Sequence, residues 1–240
     1  MIDVVDFHKV YQQTVAVAGL TFRVEPGQII GLLGPNGAGK TTTLRALAGV
    51  IPPTRGRLVV GGHDVVTDPV PAKRLLAYVP DDPKLFDVLT VWEHLKFIAS
   101  AYRVGDFRAE AERLLEQFEL IEYRHKLGQE LSRGMRQKVA ICCAYLHAPR
   151  AILVDEPLTG LDPQGIRTMK RSLRDRAAAG AAVIISSHLL ALVEDLCSHL
   201  LILDRGRQLF SGTVADARAA FAGAAADSSL EDVFFKALSG

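Results

Sequence analysis

A glycine-rich stretch of nine residues has the composition needed to hold phosphate. It fits the pattern G-x-x-x-x-G-K-[S/T], in which glycines let the backbone curl tightly and approach a ligand. Successive N–H groups in such a turn face inward and attract an anion. Lys40 adds a positive charge for the β- and γ-phosphates, and the Thr41 hydroxyl is suited to bind Mg²⁺. The stretch consists of Gly34, Pro35, Asn36, Gly37, Ala38, Gly39, Lys40, Thr41 and Thr42.

Two adjacent carboxylates, Asp155 and Glu156, follow the apolar run 151–154. Ligands bind to α/β proteins at the carboxyl ends of buried parallel strands. Phosphate chemistry needs a metal ligand and a group that positions or deprotonates water. We therefore expect Asp155 to hold Mg²⁺, directly or through water, and Glu156 to act as general base. An ordinary surface turn would carry such a pair too, but the phosphate-binding stretch favours the chemical interpretation.

His188 closes another apolar run, after Ser186 and Ser187. A histidine there is suited to contact the γ-phosphate or to orient water, although a lone histidine at a strand end is more often structural. A serine hydrolase would carry a G-x-S-x-G elbow, which the sequence lacks. The candidate catalytic residues are therefore Lys40, Glu156 and His188.

Composition argues against several classes of protein. The 240 residues include 28 Lys and Arg against 27 Asp and Glu, so the chain lacks the basic excess of a nucleic-acid binder. Three cysteines without the spacing of a disulfide framework indicate a reducing compartment. The sequence begins without a signal-peptide pattern and has no apolar run long enough to span a membrane, so we expect no membrane span.

Apolar runs and turn signals predict the elements that position these side chains. Short continuous apolar runs indicate buried strands, and apolar residues at helical spacing indicate helices. The resulting order is an α/β nucleotide-binding core interrupted by a helical insertion. The predicted strands are 4–11, 16–24, 29–33, 58–60, 151–154, 183–185, 200–203 and 208–210, and the predicted helical segments are 41–50, 90–146, 163–179 and 229–238, with an alanine-rich stretch at 215–226.

The segment 131–139 reads Leu-Ser-Arg-Gly-Met-Arg-Gln-Lys-Val. It is similar to the signature of ATP-binding cassette (ABC) transporter ATPases, which is usually LSGGQ followed by basic and amide residues. With the phosphate loop, the acidic pair and His188 in the family's order, nearly the whole chain resembles the ATPase subunit of an ABC transporter. In that family the signature binds the γ-phosphate of ATP held by the opposite subunit. The resemblance implies this role for Ser132 and the Gly134 amide at a helix N-terminus; otherwise Ser132 is simply an N-cap.

The resemblance also implies roles for three further residues. Tyr11 matches the aromatic residue that stacks on adenine, and a plain strand tyrosine is its alternative. Asp162 lies in a Thr-Gly-Leu-Asp segment like the loop that links the two subunits, and a helix-capping aspartate is its alternative. His188 matches the family's switch histidine.

Two features depart from the family's pattern. The signature has Arg133 and Met135 where glycine and glutamine are usual. Arg133 cannot adopt angles open only to glycine, so we expect the loop to stay in ordinary φ/ψ space. Asp81 stands where the family usually has a glutamine that contacts Mg²⁺. A carboxylate is able to ligate Mg²⁺, and an ordinary loop residue is the equal alternative.

The resemblance implies a P-loop NTPase (RecA-like) α/β core with an N-terminal antiparallel β subdomain and an inserted α-helical subdomain. We expect one domain over 1–240, in which 1–81 and 148–240 form the nucleotide-binding core. The segment 82–147 would then be the helical subdomain that carries the signature.

The implied activity is hydrolysis of ATP to ADP and phosphate with Mg²⁺. Two copies, or this chain and a similar one, would hold two ATP molecules head to tail. The segment 82–103, with apolar Leu85, Phe86, Val88 and Leu89, would meet a separate transmembrane subunit at the cytoplasmic face of the membrane, and no nucleic acid is expected. The alternatives are a soluble ABC-type ATPase acting on DNA or ribosomes, and a weakly hydrolysing nucleotide-gated regulator.

Overall fold

Two β-sheets and the helices packed on them make up the computed structural model, which describes residues 1–222 and 229–239. Short 3-10 turns lie at Ile121–Tyr123 and Gly128–Glu130. The strands are β1 (Ile2–Tyr11), β2 (Thr14–Val24), β3 (Ile29–Leu33), β4 (Arg55–Val60), β5 (His63–Asp64), β6 (Leu76–Val79), β7 (Ala151–Asp155), β8 (Ala182–Ser186), β9 (His199–Asp204) and β10 (Arg207–Thr213). The helices are α1 (Lys40–Leu47), α2 (Pro69–Leu75), α3 (Val91–Tyr102), α4 (Arg108–Gln117), α5 (Arg133–Tyr145), α6 (Pro163–Ala178), α7 (Leu190–Leu196), α8 (Val214–Ala222) and α9 (Leu230–Ser239).

The larger sheet has the strand order β10-β9-β3-β8-β7-β6. Its strands run parallel except for β10, which forms an antiparallel hairpin with β9. Every residue of β3, β7 and β8 is buried, as expected for parallel strands that are covered on both faces. The segments that follow β3, β7 and β8 therefore leave the sheet at the same edge, and these segments carry the predicted reactive side chains.

The smaller sheet is antiparallel, with the order β2-β1-β4-β5. Side chains of β1, β2 and β4 share a core with one face of the larger sheet, to which Ile30, Leu32 and Leu153 contribute. The opposite face, with Ile152 and Val154, packs in a second core that includes α3, α4 and α5. The larger sheet is thus covered by strands and α1 on one side and by helices on the other.

Three helices between β6 and β7 form the predicted insertion. Thr90 caps α3 reciprocally, since Glu93 N donates to Thr90 Oγ1 at 3.2 Å and Thr90 N donates to Glu93 Oε2 at 2.8 Å. Ser132 caps α5, where its hydroxyl oxygen accepts from Met135 N at 3.3 Å. These caps fix where α3 and α5 begin and so place the signature at the start of a helix.

The predicted α/β fold class is confirmed, and so are the hairpin of β9 and β10 and the helix α3. The helix predicted at 41–50 was too long, because α1 ends at Leu47. Gly49 has φ 62°, and the amides of Gly49 and Val50 donate to Ala46 O and Arg45 O, which is a Schellman ending.

Some elements were not predicted, namely α2, α7, β5 and β6. Part of the alanine-rich stretch forms α8, whereas its residues 223–226 lie outside the described residues. Among residues 1–222 and 229–239, no helix combines the length and apolar character needed to cross a bilayer.

The burial of Leu153 leads to a stability prediction. Leu153 is fully buried in β7, and we expect Leu153→Ala to lower the free energy of unfolding by about 2–5 kcal/mol, because it removes buried methyl groups and leaves a cavity. Urea unfolding followed by circular dichroism measures this. The control is Val88→Ala, since Val88 is 76% exposed and we expect a change within about 0.5 kcal/mol. Equal effects of both substitutions would contradict the packing described here.

Candidate nucleotide-binding site

A cavity of about 500 Å³ opens at the carboxyl edge of the larger sheet. It is bounded by the phosphate-binding stretch, by the acidic pair at the end of β7 and by residues of β1 and β2. This arrangement brings together groups that are far apart in the sequence. The lining residues are Tyr11, Thr14, Val15, Ala16, Asn36, Gly37, Ala38, Gly39, Lys40, Thr41, Thr42, Asp81, Asp155 and Glu156.

The glycines of the stretch sit where other residues would not fit. Gly39 has φ 101°, and a Cβ there would lie 2.7 Å from Ala16 O. A Cβ on Gly34 would lie 2.4 Å from Leu203 O. The stretch therefore packs closely against β2 and β9, and its curvature depends on glycine at these positions.

The N-terminus of α1 faces the cavity with unpaired amides. The first backbone hydrogen bond of the helix runs from Thr43 N to Gly39 O at 2.9 Å. Gly39 is the N-cap residue, and no side-chain hydrogen bond caps the helix there. The amides of Lys40, Thr41 and Thr42 thus belong to the first turn, whose N–H groups have no partner within the helix. An anion in the cavity would satisfy them and would be stabilised by the helix dipole.

Lys40 is only 8% exposed and lies over its own loop. Its Nζ donates to Gly34 O at 2.7 Å and to Pro35 O at 3.2 Å. Burial lowers the pKa of Lys40, and the negative charges of Glu156 and Asp155 offset only part of that effect. A phosphate beside Nζ would supply further negative charge, so the surroundings of Lys40 fit an anionic ligand.

Asp155 is buried at the end of β7, where it is 3% exposed. The Ser186 hydroxyl donates to Asp155 Oδ1, which orients the carboxylate from the neighbouring strand β8. Asp155, Thr41 and Asp81 line the same cavity. A hydroxyl, carboxylates and substrate phosphates are the oxygen ligands that Mg²⁺ prefers, so these residues fit a magnesium ion bound together with a nucleotide.

Glu156 and His188 are in direct contact. His188 Nδ1 lies 2.9 Å from Glu156 Oε2, and Ser187 Oγ and His188 N each donate to the same oxygen at 3.4 Å. Glu156 has φ 49°, and its amide donates to Ser186 O at 3.0 Å. This unusual backbone conformation turns the side chain from the strand end towards His188.

Tyr11 lies at the end of β1, on the rim of the cavity. The residue is 43% exposed, and Lys9 Nζ lies over its ring, 4.9 Å from the centroid. The structure thus places an exposed tyrosine in the lining of the cavity that the phosphate-binding stretch bounds.

A second cavity of about 330 Å³ brings together a further group of candidate residues. Ser132, Gly134, Gly160 and Asp162 line it, and none of them lines the first cavity. Asp162 also caps α6, since its Oδ1 accepts from Gly165 N at 3.1 Å. Ser132, Gly134 and Asp162 therefore lie at a surface separate from the first cavity.

Lys138 lies close to the same aspartate, with its Nζ 3.4 Å from Asp162 Oδ1. Burial acts to raise the pKa of Asp162, but the hydrogen bond from Gly165 N and the charge of Lys138 outweigh it and lower that pKa. The Asp162 carboxylate is therefore ionised at neutral pH.

Arg133 occupies the first turn of α5 in ordinary helical space, because it is not among the described residues with positive φ. This agrees with the expectation from the sequence. Its guanidinium contacts Asp81, with Nη2 3.3 Å from Oδ1. Two of the three residues that depart from the family's pattern, Arg133 and Asp81, therefore form an ion pair with each other.

The hydroxyl of Ser186 is the clearest contribution that the sequence did not reveal. In the sequence, the sign of this role is a serine at the last position of a buried strand. The partner of Ser186, however, depends on the register that places it opposite Asp155. The three cysteine thiols are free, as the sequence predicted. Burial raises the pKa of Cys143 and Cys197 to about 12, so both thiols stay protonated at neutral pH.

Comparison with known proteins decides the family. Residues 17–159, which include the phosphate loop, the signature and the acidic pair, match the family described as ABC transporter. The chain belongs to this family. It is 33% identical over 238 residues to the ABC-type transporter ATP-binding protein EcsA of Bacillus subtilis (strain 168), over 98% of this chain and 96% of that protein.

Other members of the family are similarly close. The lipopolysaccharide export system ATP-binding protein LptB of Haemophilus influenzae is 34% identical over 210 residues, which cover 85% of this chain and 87% of LptB. A solved structure of an ATP-binding subunit of an ABC transporter superposes with a TM-score of 0.93 at 34% identity, over 99% of each chain. The predicted family and P-loop NTPase fold are therefore confirmed, and ATP binding is a property of this family.

Lys40 provides a direct test of the cavity. We expect Lys40→Ala to weaken Mg-ATP binding by about 10- to 150-fold, which corresponds to the loss of a charged phosphate contact worth about 1.5–3 kcal/mol. Equilibrium titration of a fluorescent ATP analogue measures the affinity. Lys96→Ala, on the exposed side of α3, is the matched control and should bind like the parent. Unchanged affinity in Lys40→Ala would show that the nucleotide binds elsewhere.

Proposed function

We propose that this chain is the ATP-hydrolysing subunit of an ABC transporter and drives a separate transmembrane subunit. The observation that carries the proposal is the cavity at the carboxyl edge of the sheet, where the phosphate-binding stretch faces Asp155 and Glu156. The negative charge of ATP is concentrated at its triphosphate end. The amides, Lys40 and the metal-binding oxygens are likewise concentrated at one end of this cavity. ATP with Mg²⁺ is the ligand that matches this distribution.

The residues of the cavity divide the work of binding. The amides of the first turn of α1 and the ammonium group of Lys40 hold the β- and γ-phosphates. Thr41 and Asp155 hold Mg²⁺, which neutralises charge on the phosphates when it is bound. Tyr11 stacks on the adenine ring and so places the base at the mouth of the cavity.

Glu156 is positioned to take a proton from the attacking water. Its carboxylate lies on the rim of the same cavity, and its Oε2 contacts His188 Nδ1 at 2.9 Å. Oε1 is free to accept a hydrogen bond from water, because the contacts of the carboxylate in the described part of the chain all involve Oε2. His188 holds the carboxylate in place and so acts as the positioning partner of the general base.

The second cavity supports association of two subunits. Ser132 and the Gly134 amide lie at the start of α5, where N–H groups and the helix dipole favour an anion. We infer that they bind the γ-phosphate of ATP held in the first cavity of another subunit. ATP then contacts both subunits and stabilises the dimer, and hydrolysis removes that stabilisation by linkage.

A groove beside the helical segment is suited to the transmembrane subunit. It has a volume of about 210 Å³ and is lined partly by apolar groups, including Leu85, Ile98 and Tyr102. Phe86 and Val88 lie nearby in sequence and are 52% and 76% exposed. Docking of a helix from that subunit would bury this surface and would hold the chain at the cytoplasmic face of the membrane.

Replacing the general base tests the proposed reaction. We expect Glu156→Gln to lower ATP turnover by about 10²- to 10⁴-fold while ATP affinity is retained, because the amide accepts no proton but still fills the same space. Phosphate release assays and ATP titrations measure the two quantities. Glu116→Gln on the exposed face of α4 is the control and should turn over like the parent. Normal hydrolysis by Glu156→Gln would rule out this role for Glu156.

Association tests the division of the site between two subunits. We expect Glu156→Gln to be monomeric without nucleotide and to dimerise when Mg-ATP is added, because the unhydrolysed ATP bridges both cavities. Analytical ultracentrifugation over a range of ATP concentrations measures this. Mg-ADP, which lacks the γ-phosphate, is the control and should leave the monomer unchanged. A monomer at saturating Mg-ATP would contradict the head-to-tail arrangement.

A further inference from the structure

The ion pair between Asp81 and Arg133 joins two parts of the molecule that are 52 residues apart in sequence. Asp81 follows β6 at the carboxyl edge of the larger sheet and lines the nucleotide cavity. Arg133 is the first residue of α5, beside the signature residue Ser132. The pair thus links the nucleotide cavity directly to the helix that carries the signature.

The rest of the Arg133 side chain is held against the segment after β7. A Cβ on Gly160 would lie 3.2 Å from Arg133 Cγ and 3.3 Å from Arg133 Cδ, so the side chain packs closely over that glycine. Gly160 has φ 81° and lines the second cavity. The Arg133 side chain therefore extends from the signature, over Gly160, to the rim of the first cavity.

The neighbouring charges have other partners. Asp82 is paired with Lys84, and Arg136 Nε donates to Leu131 O at 3.0 Å. Among the described residues, Arg133 is the cation in contact with Asp81. The side chains of Asp81 and Arg133 are 46% and 57% exposed. Water therefore reaches the ion pair, and either residue is able to leave the other for a different partner.

We propose that Asp81 and Arg133 form an exchangeable ion pair in which the divalent cation of Mg-ATP competes with Arg133 for the Asp81 carboxylate. Without nucleotide, Arg133 holds the carboxylate and ties the start of α5 to the cavity. With Mg-ATP, the carboxylate turns to the cation and Arg133 is released. Arg133 is therefore a positioning residue that acts through Asp81. The ion pair couples binding of the cation to the helix that carries the signature.

The competition has a thermodynamic consequence. A ligand shifts an equilibrium only by the difference between its affinities for the two states. Because the cation must displace Arg133 from Asp81, the increase in ATP affinity that Mg²⁺ brings is smaller than it would be without the ion pair. An exposed ion pair of usual strength corresponds to about a two- to five-fold change in affinity. By reciprocity, bound Mg-ATP weakens the ion pair between Asp81 and Arg133 by the same factor.

This inference rests on the proposed function, because Asp81 meets the cation only if the cavity binds Mg-ATP. The experiment measures ATP affinity in the Glu156→Gln background with Mg²⁺ and with EDTA, at protein concentrations too low for the ATP-dependent dimer to form, as ultracentrifugation verifies. The ratio of the two affinities is the Mg²⁺ enhancement. We expect Arg133→Met to raise this enhancement by about two- to five-fold, because the cation no longer competes with a guanidinium.

Two variants separate the exchange from a general effect of Arg133. In an Asp81→Gln background, Arg133→Met should leave the Mg²⁺ enhancement unchanged, since the carboxylate is already absent. Arg133→Lys, which keeps the charge, should retain the parental enhancement. Arg171→Met on α6, at an exposed arginine, is the matched control and should also behave like the parent. If Arg133→Met does not fold, Arg133→Gln removes the same charge with a polar side chain.

The outcomes distinguish this inference from the proposed function. If the parent binds ATP in neither condition, the proposed function fails. If the parent shows Mg²⁺ enhancement and Arg133→Met does not change it, the exchange is wrong while the proposed function stands. An increase that persists in the Asp81→Gln background would also overturn the exchange, because Arg133 would then act without Asp81.

Discussion

Parallel pairing of β3, β8 and β7 is the constraint on which the rest of the structure depends. The register places Leu32 opposite Ser186 and Asp155 opposite Ser186, so these strands end at the same level. Asp155 is the last residue of β7, and the segments that follow the three strands carry the phosphate-binding stretch, Glu156 and His188. Because the strands are buried on both faces, a one-residue shift of any of them would move its side chains to the opposite core and displace the loop that follows it.

The same sheet supports groups that are unfavourable by themselves. Buried Lys40 and Asp155 lose hydration, and the positive φ of Glu156 costs on the order of 1–3 kcal/mol. Hydrogen bonds from the neighbouring strand offset part of this cost, since Ser186 contacts both Asp155 and the Glu156 amide. Such groups concentrate at one edge of the sheet, which is typical of a site that is completed by a charged ligand.

Much of this architecture was predictable because it depends on local patterns. Continuous apolar runs marked β3, β7 and β8, and glycine with lysine at fixed spacing marked the phosphate loop. The helices α2 and α7 escaped prediction because each has only seven residues, too few for a clear helical period. The contacts of Ser186 with Asp155 and of Arg133 with Asp81 depend on strand register and chain packing, which a single sequence does not encode locally.

The two cavities carry different groups of candidate residues. The first is lined by residues of the phosphate-binding stretch, Asp155 and Glu156, and the second by Ser132 and Gly134 at the start of α5. Among the residues that the structure describes, none lines both. The proposed dimer brings the two kinds of surface together, and the ion pair of Asp81 and Arg133 connects them within one chain.

The central claim is that a triphosphate binds between the phosphate loop and the acidic pair. A crystal structure with Mg²⁺ and a non-hydrolysable ATP analogue tests it most directly. We expect phosphate oxygens on the amides of Lys40 to Thr42 and on Lys40 Nζ. The metal ion should lie next to Thr41 and Asp155, and Glu156 should face the γ-phosphate. Nucleotide bound at another place, or Asp155 and Glu156 turned away from it, would show that the triphosphate does not bind between the phosphate loop and the acidic pair.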